Sequence, residues 1–581
     1  MIEQSDSTAD AAESVWGRGL PPLLCVLAVP VIFFLVNPML EIGINDDWVY
    51  ARMARLWAET GHLQFDGATA ADVGAHAFWG MILIRLFGFS FSLLRVSMIP
   101  VTCGCALSIY AIARWLGTRR NLSALASVIV ISSPLFVPVW TNFMTDVTAL
   151  LFFLLALLLA LRACSAEENV ALVYLAACVV AGLLSGTVRQ VFWGAPPLML
   201  AGFLLLRRTS RKLLIGGTAL FVSNLAATAG LLHWFHTQKN FNMERIPRPG
   251  SLADIRVAAY ASVDFLLTLA LLSSPAILYL LSDRRIWRRP LIRILAATAI
   301  TTAFFWRYPS FRRFPWMGNT LTVNGPFGTG STLVGNLPVI LTPRACSVIG
   351  FAATALLFFG ILSARRAGAD LQPAGVPPGT AEALNRQRWR MFCWLAIPYS
   401  IAYLLLLAIR GLLDPVFDRY LLPILPVCIL SLFAMSRKFP MRFASVAAGI
   451  SALAFAAYAV ATTHDAFRIS EAQMLAADRL TTSGIPRACI SAGYAYDGWT
   501  EAEIAGYIPV FSVMPLRNTK VEPFFLRYTP HVMPKYFVVA SPQATLPAEP
   551  YLTVDYSTWL PPRKRMLLVQ QDPDASCQPK L

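Results

Sequence analysis

Residues 20–50 read LPPLLCVLAVPVIFFLVNPMLEIGINDDWVY, and the fold class follows from how that run is taken. Leu20 to Leu40 carries no charged residue. A helix rising about 1.5 Å per residue needs about 20 such residues to cross a hydrocarbon core. Two adjacent acids, Asp46 and Asp47, follow directly. A cleavable signal peptide wants basic residues ahead of its apolar core and a small-residue cleavage site after it. Arg18 is the only basic residue before this run, so it reads as a retained span ending at an acidic loop.

Beyond this run the same alternation fills most of the chain. Of 581 residues, 56% are hydrophobic and 14% charged, and the mean hydropathy is +0.58. That composition excludes ordinary soluble enzymes, disordered chains and secreted disulfide scaffolds. Further apolar runs lie at 92–113, 121–140, 145–161, 170–186, 191–206, 213–235, 259–282, 291–306, 344–364, 392–410, 419–436 and 443–461. The chain therefore reads as an all-α polytopic membrane protein of about 13 transmembrane helices. Trp48 to Glu59 and Phe78 to Phe87 look amphipathic and suit the interface better than a crossing.

The net charge of +16 has an address. The residues from 465 onward are neutral, with 11 basic and 11 acidic side chains. Nineteen of the remaining 37 basic residues sit in five connectors: 114–120, 207–212, 284–289, 365–390 and 437–442. Lys and Arg accumulate in cytoplasmic loops, and an odd number of spans puts the tail on the other side. The expected division is a cytoplasmic tail 1–19, a membrane domain 20–462 with an outward loop 41–91, and an extracytoplasmic domain 463–581. Basic residues gathered in connectors exclude a nucleic-acid face, which would interleave them with aromatics on one surface.

The tail reads as a small α/β domain. Ala466 to Leu480 has helical periodicity; Ala488–Ala492, Tyr536–Ala540, Tyr551–Asp555 and Arg565–Gln570 read as strands. Its two cysteines, Cys489 and Cys577, are expected to pair in an oxidising compartment, although two unpaired thiols are the alternative. The other eight cysteines lie in or at the ends of spans, where Cys behaves as a small apolar residue.

Chemistry is expected where charge meets an outward span end. Asp46 and Asp47 open the first loop, and Asp146 starts another span in Asn142-Phe143-Met144-Thr145-Asp146. Acids at membrane depth are functional candidates by default. The outward arginines are Arg189, Arg307, Arg312, Arg313 and Arg419. His76 faces the same loop as the acids; interfacial packing is its bland alternative. His233 and His236 have a metal-compatible spacing without a third ligand nearby. Gly325-Pro326-Phe327-Gly328-Thr329-Gly330 lacks the Gly-Lys-Ser/Thr ending of a phosphate loop and reads as an outer loop.

The segment Asp46-Asp47-Trp48-Val49-Tyr50-Ala51-Arg52-Met53-Ala54 resembles the first-loop acidic motif of the GT-C membrane glycosyltransferases. The likeness is to the protein O-mannosyltransferase and aminoarabinose transferase group, with Asp47 where the family pattern has Glu. Ile84 to Ser90 with Leu94-Arg95, Met144-Thr145-Asp146, and Arg419-Tyr420-Leu421-Leu422-Pro423 with Pro426 are similar to later family segments. The resemblance spans residues 20 to 440. One departure stands out: many members carry Lys-Pro-Pro-Leu where this chain has Asp72-Val73-Gly74-Ala75-His76-Ala77-Phe78-Trp79. The donor-phosphate contact made by that Lys has no counterpart here.

The resemblance implies a sugar donor on a polyprenyl phosphate and an acceptor hydroxyl on a glycan, lipid or protein. It also implies residence in the bacterial inner membrane among membrane lipids, with the tail outside the cytoplasm. Asp46 would be the general base of an inverting displacement, with Asp146 as the second catalytic acid. Asp47, Tyr50, His76, Arg189, Arg307, Arg419 and Tyr420 would contact substrate, an arginine meeting the leaving phosphate. Some relatives use a divalent metal and others none, so Asp47 and Asp146 stand either as ligands or as positioning groups. The rival reading is a polytopic transporter or lipid flippase with the acids as ion-coupling groups, and a third is a noncatalytic assembly protein. Transporters commonly show matching halves, which this sequence lacks.

Overall fold

The computed structural model describes residues 15–242, 246–280, 290–328, 332–369, 380–413, 416–435, 442–508, 521 and 523–577. Among them, nine helices are long and apolar enough to cross a membrane. They are Gly19–Val36, Phe91–Trp115, Thr145–Ser165, Glu168–Val188, Arg211–Thr237, Leu252–Leu272, Pro343–Leu362, Ala381–Arg410 and Val446–Thr482. Large apolar side chains such as Phe34, Trp306 and Leu453 lie exposed on these and neighbouring helices. Exposed apolar surface on that scale is a lipid-facing surface, and the chain is an integral membrane protein.

The thirteen expected runs thus divide. Nine match helices of spanning length, and Pro290–Arg307 is an 18-residue helix at the run 291–306. Three are shorter: Arg120–Ile131, Gln190–Leu206 and Ile424–Met435. The cause is local. The run 121–140 is cut at Ser132 ahead of Pro134, because the residue before proline avoids the helical region. The run 419–436 opens with a 3₁₀ turn, Asp418–Leu421, before its helix starts at Ile424 just after Pro423. Hydropathy counts apolar residues without seeing these breaks. The basic connector 284–289 and parts of 365–390 and 437–442 lie outside the described residues, as do Thr329 and Gly330.

Thr145–Ser165 and Glu168–Val188 form a hairpin joined at Ala166 and Glu167. Its antiparallel geometry places the start of the first helix beside the end of the second. The first loop contributes two further helices, Asp47–Thr60 and Gly74–Phe87, which lie against each other.

The tail is continuous with the membrane domain. One helix, Arg442–Thr482, runs without interruption through residue 463, where the sequence suggested a domain boundary. Its last turns cover a four-stranded sheet of β1 (Ile490–Ser491), β2 (Tyr536–Val539), β3 (Leu552–Ser557) and β4 (Lys564–Gln571). The spatial order is β1-β2-β4-β3, with β1 and β2 parallel and the other pairs antiparallel. Side chains alternate across the sheet as pleating requires. Val538, Leu567 and Val569 meet Ala472, Ala476 and Leu480 of the helix, while Phe537, Val539 and Leu568 meet Phe525 and Val532. Cys489 and Cys577 are bridged, their Cα atoms 5.4 Å apart, which ties the C-terminal segment to the start of β1.

The tail also holds a helix with no counterpart in the sequence reading, Tyr494–Ala505, and this helix docks on the first loop. Arg52 donates to the Ala502 carbonyl at 2.7 Å, and Ile508 N–H donates to the Asp66 carbonyl at 2.7 Å. Trp48 lies under Gly498, where an added Cβ would sit 2.4 Å from the indole. Only glycine permits that approach.

Candidate functional site

Asp46 and Asp47 are neighbours in sequence with different partners. Asp47 is wholly buried, and Arg95 donates to its Oδ2 from Nη2 at 2.8 Å and from Nε at 3.2 Å. Its Oδ1 accepts from Ile44 N–H at 2.5 Å. Arg95 also donates to the carbonyls of Leu40 at 2.5 Å and Ile42 at 2.6 Å, so the pair fastens the end of the first span to the loop helix. Burial pushes the Asp47 carboxyl upward, against the pull of Arg95.

Asp46, at the N-cap of helix Asp47–Thr60, keeps 23% of its side chain exposed. Its Oδ2 accepts from Arg419 Nη2, and its Oδ1 accepts from the Tyr494 hydroxyl at 3.4 Å. Asp146 accepts from Arg189 Nη2 at 2.7 Å, and Arg189 Nε donates to Thr145 Oγ1 at 2.9 Å. The helical hairpin explains this second pair. Asp146 stands in the first turn of one helix and Arg189 at the C-cap of the other, each at the end its charge favours.

These pairs flank a cavity of about 170 Å³. Its polar wall is Asp146, Arg189, Gln190, Arg410, Arg419 and Tyr420; Leu406, Leu407, Phe192 and Leu422 supply an apolar wall. The guanidinium carbons of Arg189, Arg410 and Arg419 lie 5.7, 5.5 and 5.8 Å from the Tyr420 ring centroid. Tyr420 thus gathers three cations around one face-rich aromatic. Arg419 is 3% exposed, yet among the described residues its Nε and Nη1 have no hydrogen-bond partner. Buried, unmatched donors cost about 1–3 kcal/mol each, and an anion in the cavity would satisfy them.

Arg419 is held from behind. Asp418, fully buried, accepts from Thr320 N–H at 3.0 Å, Thr320 Oγ1 at 2.9 Å and Leu321 N–H at 2.6 Å. Tyr403 donates to the Tyr420 carbonyl at 2.7 Å. Tyr50 is buried, with Arg189, Asp46, Arg419 and Asp146 as its charged neighbours, and burial pushes its phenol upward. His76 is buried against Phe143, with Nδ1 2.8 Å from Thr148 Oγ1 and Nε2 3.4 Å from the Phe143 carbonyl. A carbonyl only accepts, so the arrangement fits a neutral ring protonated on Nε2.

The structure therefore brings together Asp46, Tyr50, Asp146, Arg189, Arg419 and Tyr420. Asp47 faces Arg95 instead, and His76 supports Tyr50 edge-on at 6.1 Å. Arg307 is exposed and stacks on Tyr308 at 4.9 Å, outside the cavity. Arg312 is exposed and donates to the Phe305 carbonyl, and Arg313, His233 and His236 are likewise exposed and outside it. The donor set does not fit a divalent metal: Asp47 and Asp146 are each matched by their own arginine. No group of three His, Cys, Asp or Glu side chains suited to a metal occurs among the described residues.

Two members were missed in the sequence. Arg410 ends an apolar run on the same side as Arg189 and Arg419, and that position was a readable signal. Tyr494 carries no local signal, since it reaches Asp46 across 448 residues of chain.

No protein-family model matches the chain, and no curated protein matches it. Among solved structures it is similar to ArnT from Cupriavidus metallidurans bound to undecaprenyl phosphate. That likeness has 16% identity and a TM-score of 0.41, covering 90% of this chain and 86% of that one. It is also similar to ArnT from the same organism in the apo state, at 14% identity and a TM-score of 0.35, covering 79% and 80%.

Proposed function

We propose that the protein is a membrane glycosyltransferase that moves a sugar from a polyprenyl-phosphate carrier to an acceptor hydroxyl. The transfer takes place on the extracytoplasmic face of the bacterial inner membrane, with residues 463–581 on that face. The observation that carries this reading is the cavity at Arg419. It offers two buried donors unmatched among the described residues, on one of three guanidinium groups, beside an apolar wall and next to the partly exposed Asp46. A phosphate on a hydrocarbon chain has that dual chemistry. Arginine suits it because a planar fork matches phosphate oxygens.

In this reading the acceptor oxygen attacks the anomeric carbon as its proton passes toward Asp46. The bond from that carbon to the carrier phosphate breaks, and its electron pair stays on the phosphate. Charge growing there meets Arg419, Arg189 and Arg410, already in place and shielded from water. A single displacement inverts the anomeric centre. Asp146 fixes Arg189 rather than reacting itself.

The test is transfer from a panel of polyprenyl-phosphate sugars by the full chain in lipid vesicles. Asp46→Asn is expected to lower turnover by about 10³-fold or more while the protein stays inserted and folded. Retained turnover in Asp46→Asn would remove it as the base.

A further inference from the structure

A second, narrow cavity of about 60 Å³ lies between the first loop and the tail. Asn45, Asn324, Phe327, Gln473, Tyr494 and Tyr496 are among the residues lining it. Its charged lining residues, Asp465 and Arg565, are engaged by the fold. The Asp465 carboxylate accepts from the backbone of Trp559 at 2.7 Å and Leu560 at 3.0 Å, with His464 at 3.0 Å. Arg565 donates to the carbonyls of Pro562, Pro561 and Leu560 at 2.9 to 3.3 Å.

What stays uncommitted there is neutral. Asn45 is 9% exposed, and among the described residues its Nδ2 has no hydrogen-bond partner. It is held at φ +54°, a left-handed conformation that few residues other than Gly, Asn and Asp adopt readily. Tyr494 belongs to both places at once: it lines this cavity, and its hydroxyl donates to Asp46 Oδ1. Its position is set by Gly493 at φ +101°, by the Tyr494 N–H donating to the Thr332 carbonyl at 3.0 Å, and by edge contact with Trp48 at 6.0 Å.

Resting on the glycosyl-transfer reading above, we propose that this cavity is the acceptor subsite, that it admits an uncharged, hydroxyl-bearing arm about the size of a sugar hydroxymethyl group, and that Tyr494 passes the acceptor's proton on to Asp46. The acceptor O–H gives its proton to Tyr494 Oη as Tyr494 gives its own to Asp46 Oδ1. The acceptor oxygen bonds to the anomeric carbon, and the carrier phosphate leaves with the electron pair. Tyr494 ends as it began. Burial, reinforced by Asp46, holds the phenol well above its ordinary range, so it enters the step protonated. Among the described residues a phosphate would find no uncommitted cation in this cavity, and an ammonium no uncommitted carboxylate; burying either charge unpaired is costly. Asn45 Nδ2 supplies a neutral donor to the acceptor oxygen.

The experiment uses the full chain in vesicles, with methyl β-glucoside as the neutral acceptor and methyl 6-amino-6-deoxy-β-glucoside and methyl β-glucoside 6-phosphate, which carry a charge on the arm itself, as competing ligands. Methyl β-glucoside is expected to bind saturably by saturation-transfer NMR and to be glycosylated, with the charged sugars at least about tenfold weaker in displacing it. Tyr494→Phe keeps the ring against Trp48 and should lower kcat about 10²-fold with acceptor KM unchanged. Asn45→Asp should raise acceptor KM about tenfold at similar kcat, and Asn45→Gly, which also accepts φ +54°, serves if that variant does not insert. Turnover of Tyr494→Phe within threefold of wild type overturns the relay. No saturable binding, equal binding by the Asn45 variants, or equal displacement by the charged sugars overturns the subsite. Binding lost in the Asn45 variants, with no transfer from any donor by wild type, keeps the subsite and sinks the glycosyl-transfer reading instead.

Discussion

The Arg419 guanidinium grips the Asp46 carboxylate across 373 residues of chain, joining the end of the first span to the turn that opens a late helix. One residue further along on each side, Asp47 and Asp418 are fully buried and engaged elsewhere. Each reactive charge is thus backed by a structural one at the adjacent position. This arrangement keeps Arg419 at the cavity, with two of its donors unmatched among the described residues.

Arg419→Lys should therefore keep a charge but lose the planar fork. The expected result is a loss of about 10²-fold in kcat/KM for the lipid-linked donor, without loss of insertion. Transfer kinetics over a range of donor concentrations check this. A Lys variant as active as wild type would show that the fork geometry is irrelevant.

Asp47→Ala should behave differently from Asp46→Asn. It strands Arg95 in a dry site among the carbonyls of Leu40 and Ile42, and breaking a buried pair costs about 3–5 kcal/mol. Thermal unfolding in detergent should show a large loss of stability for Asp47→Ala and little for Asp46→Asn. Equal stability of the two variants would contradict the division of roles.

Gly498→Leu tests the docking of the tail. A side chain there must displace Trp48, and overpacking costs about 1–3 kcal/mol even where it is tolerated. Tyr494 lies one helical turn away, so activity should fall together with protection of helix Tyr494–Ala505 in hydrogen exchange. Unchanged exchange in that helix would show that Trp48 yields without moving the tail.

Reduction of Cys489–Cys577 opens a loop spanning 88 residues of sequence. The loop-closure model gives about 4.6 kcal/mol for a bridge of that span. Cys577→Ser should lower the unfolding temperature of the tail with little change in the membrane helices, as followed by hydrogen exchange. Uniform loss of protection throughout the chain would argue against a separately stabilised sheet.

Much of the architecture was legible because its causes are local. Nine of the expected apolar runs match helices of spanning length among the described residues, and each expected strand overlaps one in the tail, since a span or a strand is written in its own few residues. Pro134 and Pro423 show where that legibility stopped at the membrane: each shortens a helix that a hydropathy count extends. The helix Arg442–Thr482 runs on past the change in composition at 463, which a residue count does not reveal.

The acids illustrate the division most sharply. Their types and their positions at span ends were legible in the sequence, and Arg189 and Arg419 were read there as contacts for a phosphate, not as partners of the acids. Which acid met which arginine was not. Asp46 and Asp47 are chemically alike and adjacent, and one became a buried fastener while the other stayed partly open. Helical rotation turns successive residues about 100° apart, so neighbours face different surroundings. What those surroundings hold is decided by packing: Arg95 reaches Asp47 across 48 residues, Arg419 reaches Asp46 across 373, and Tyr494 reaches it across 448. Periodicity carries no information over such separations, so the partners of the reactive acid were set by the tertiary structure alone.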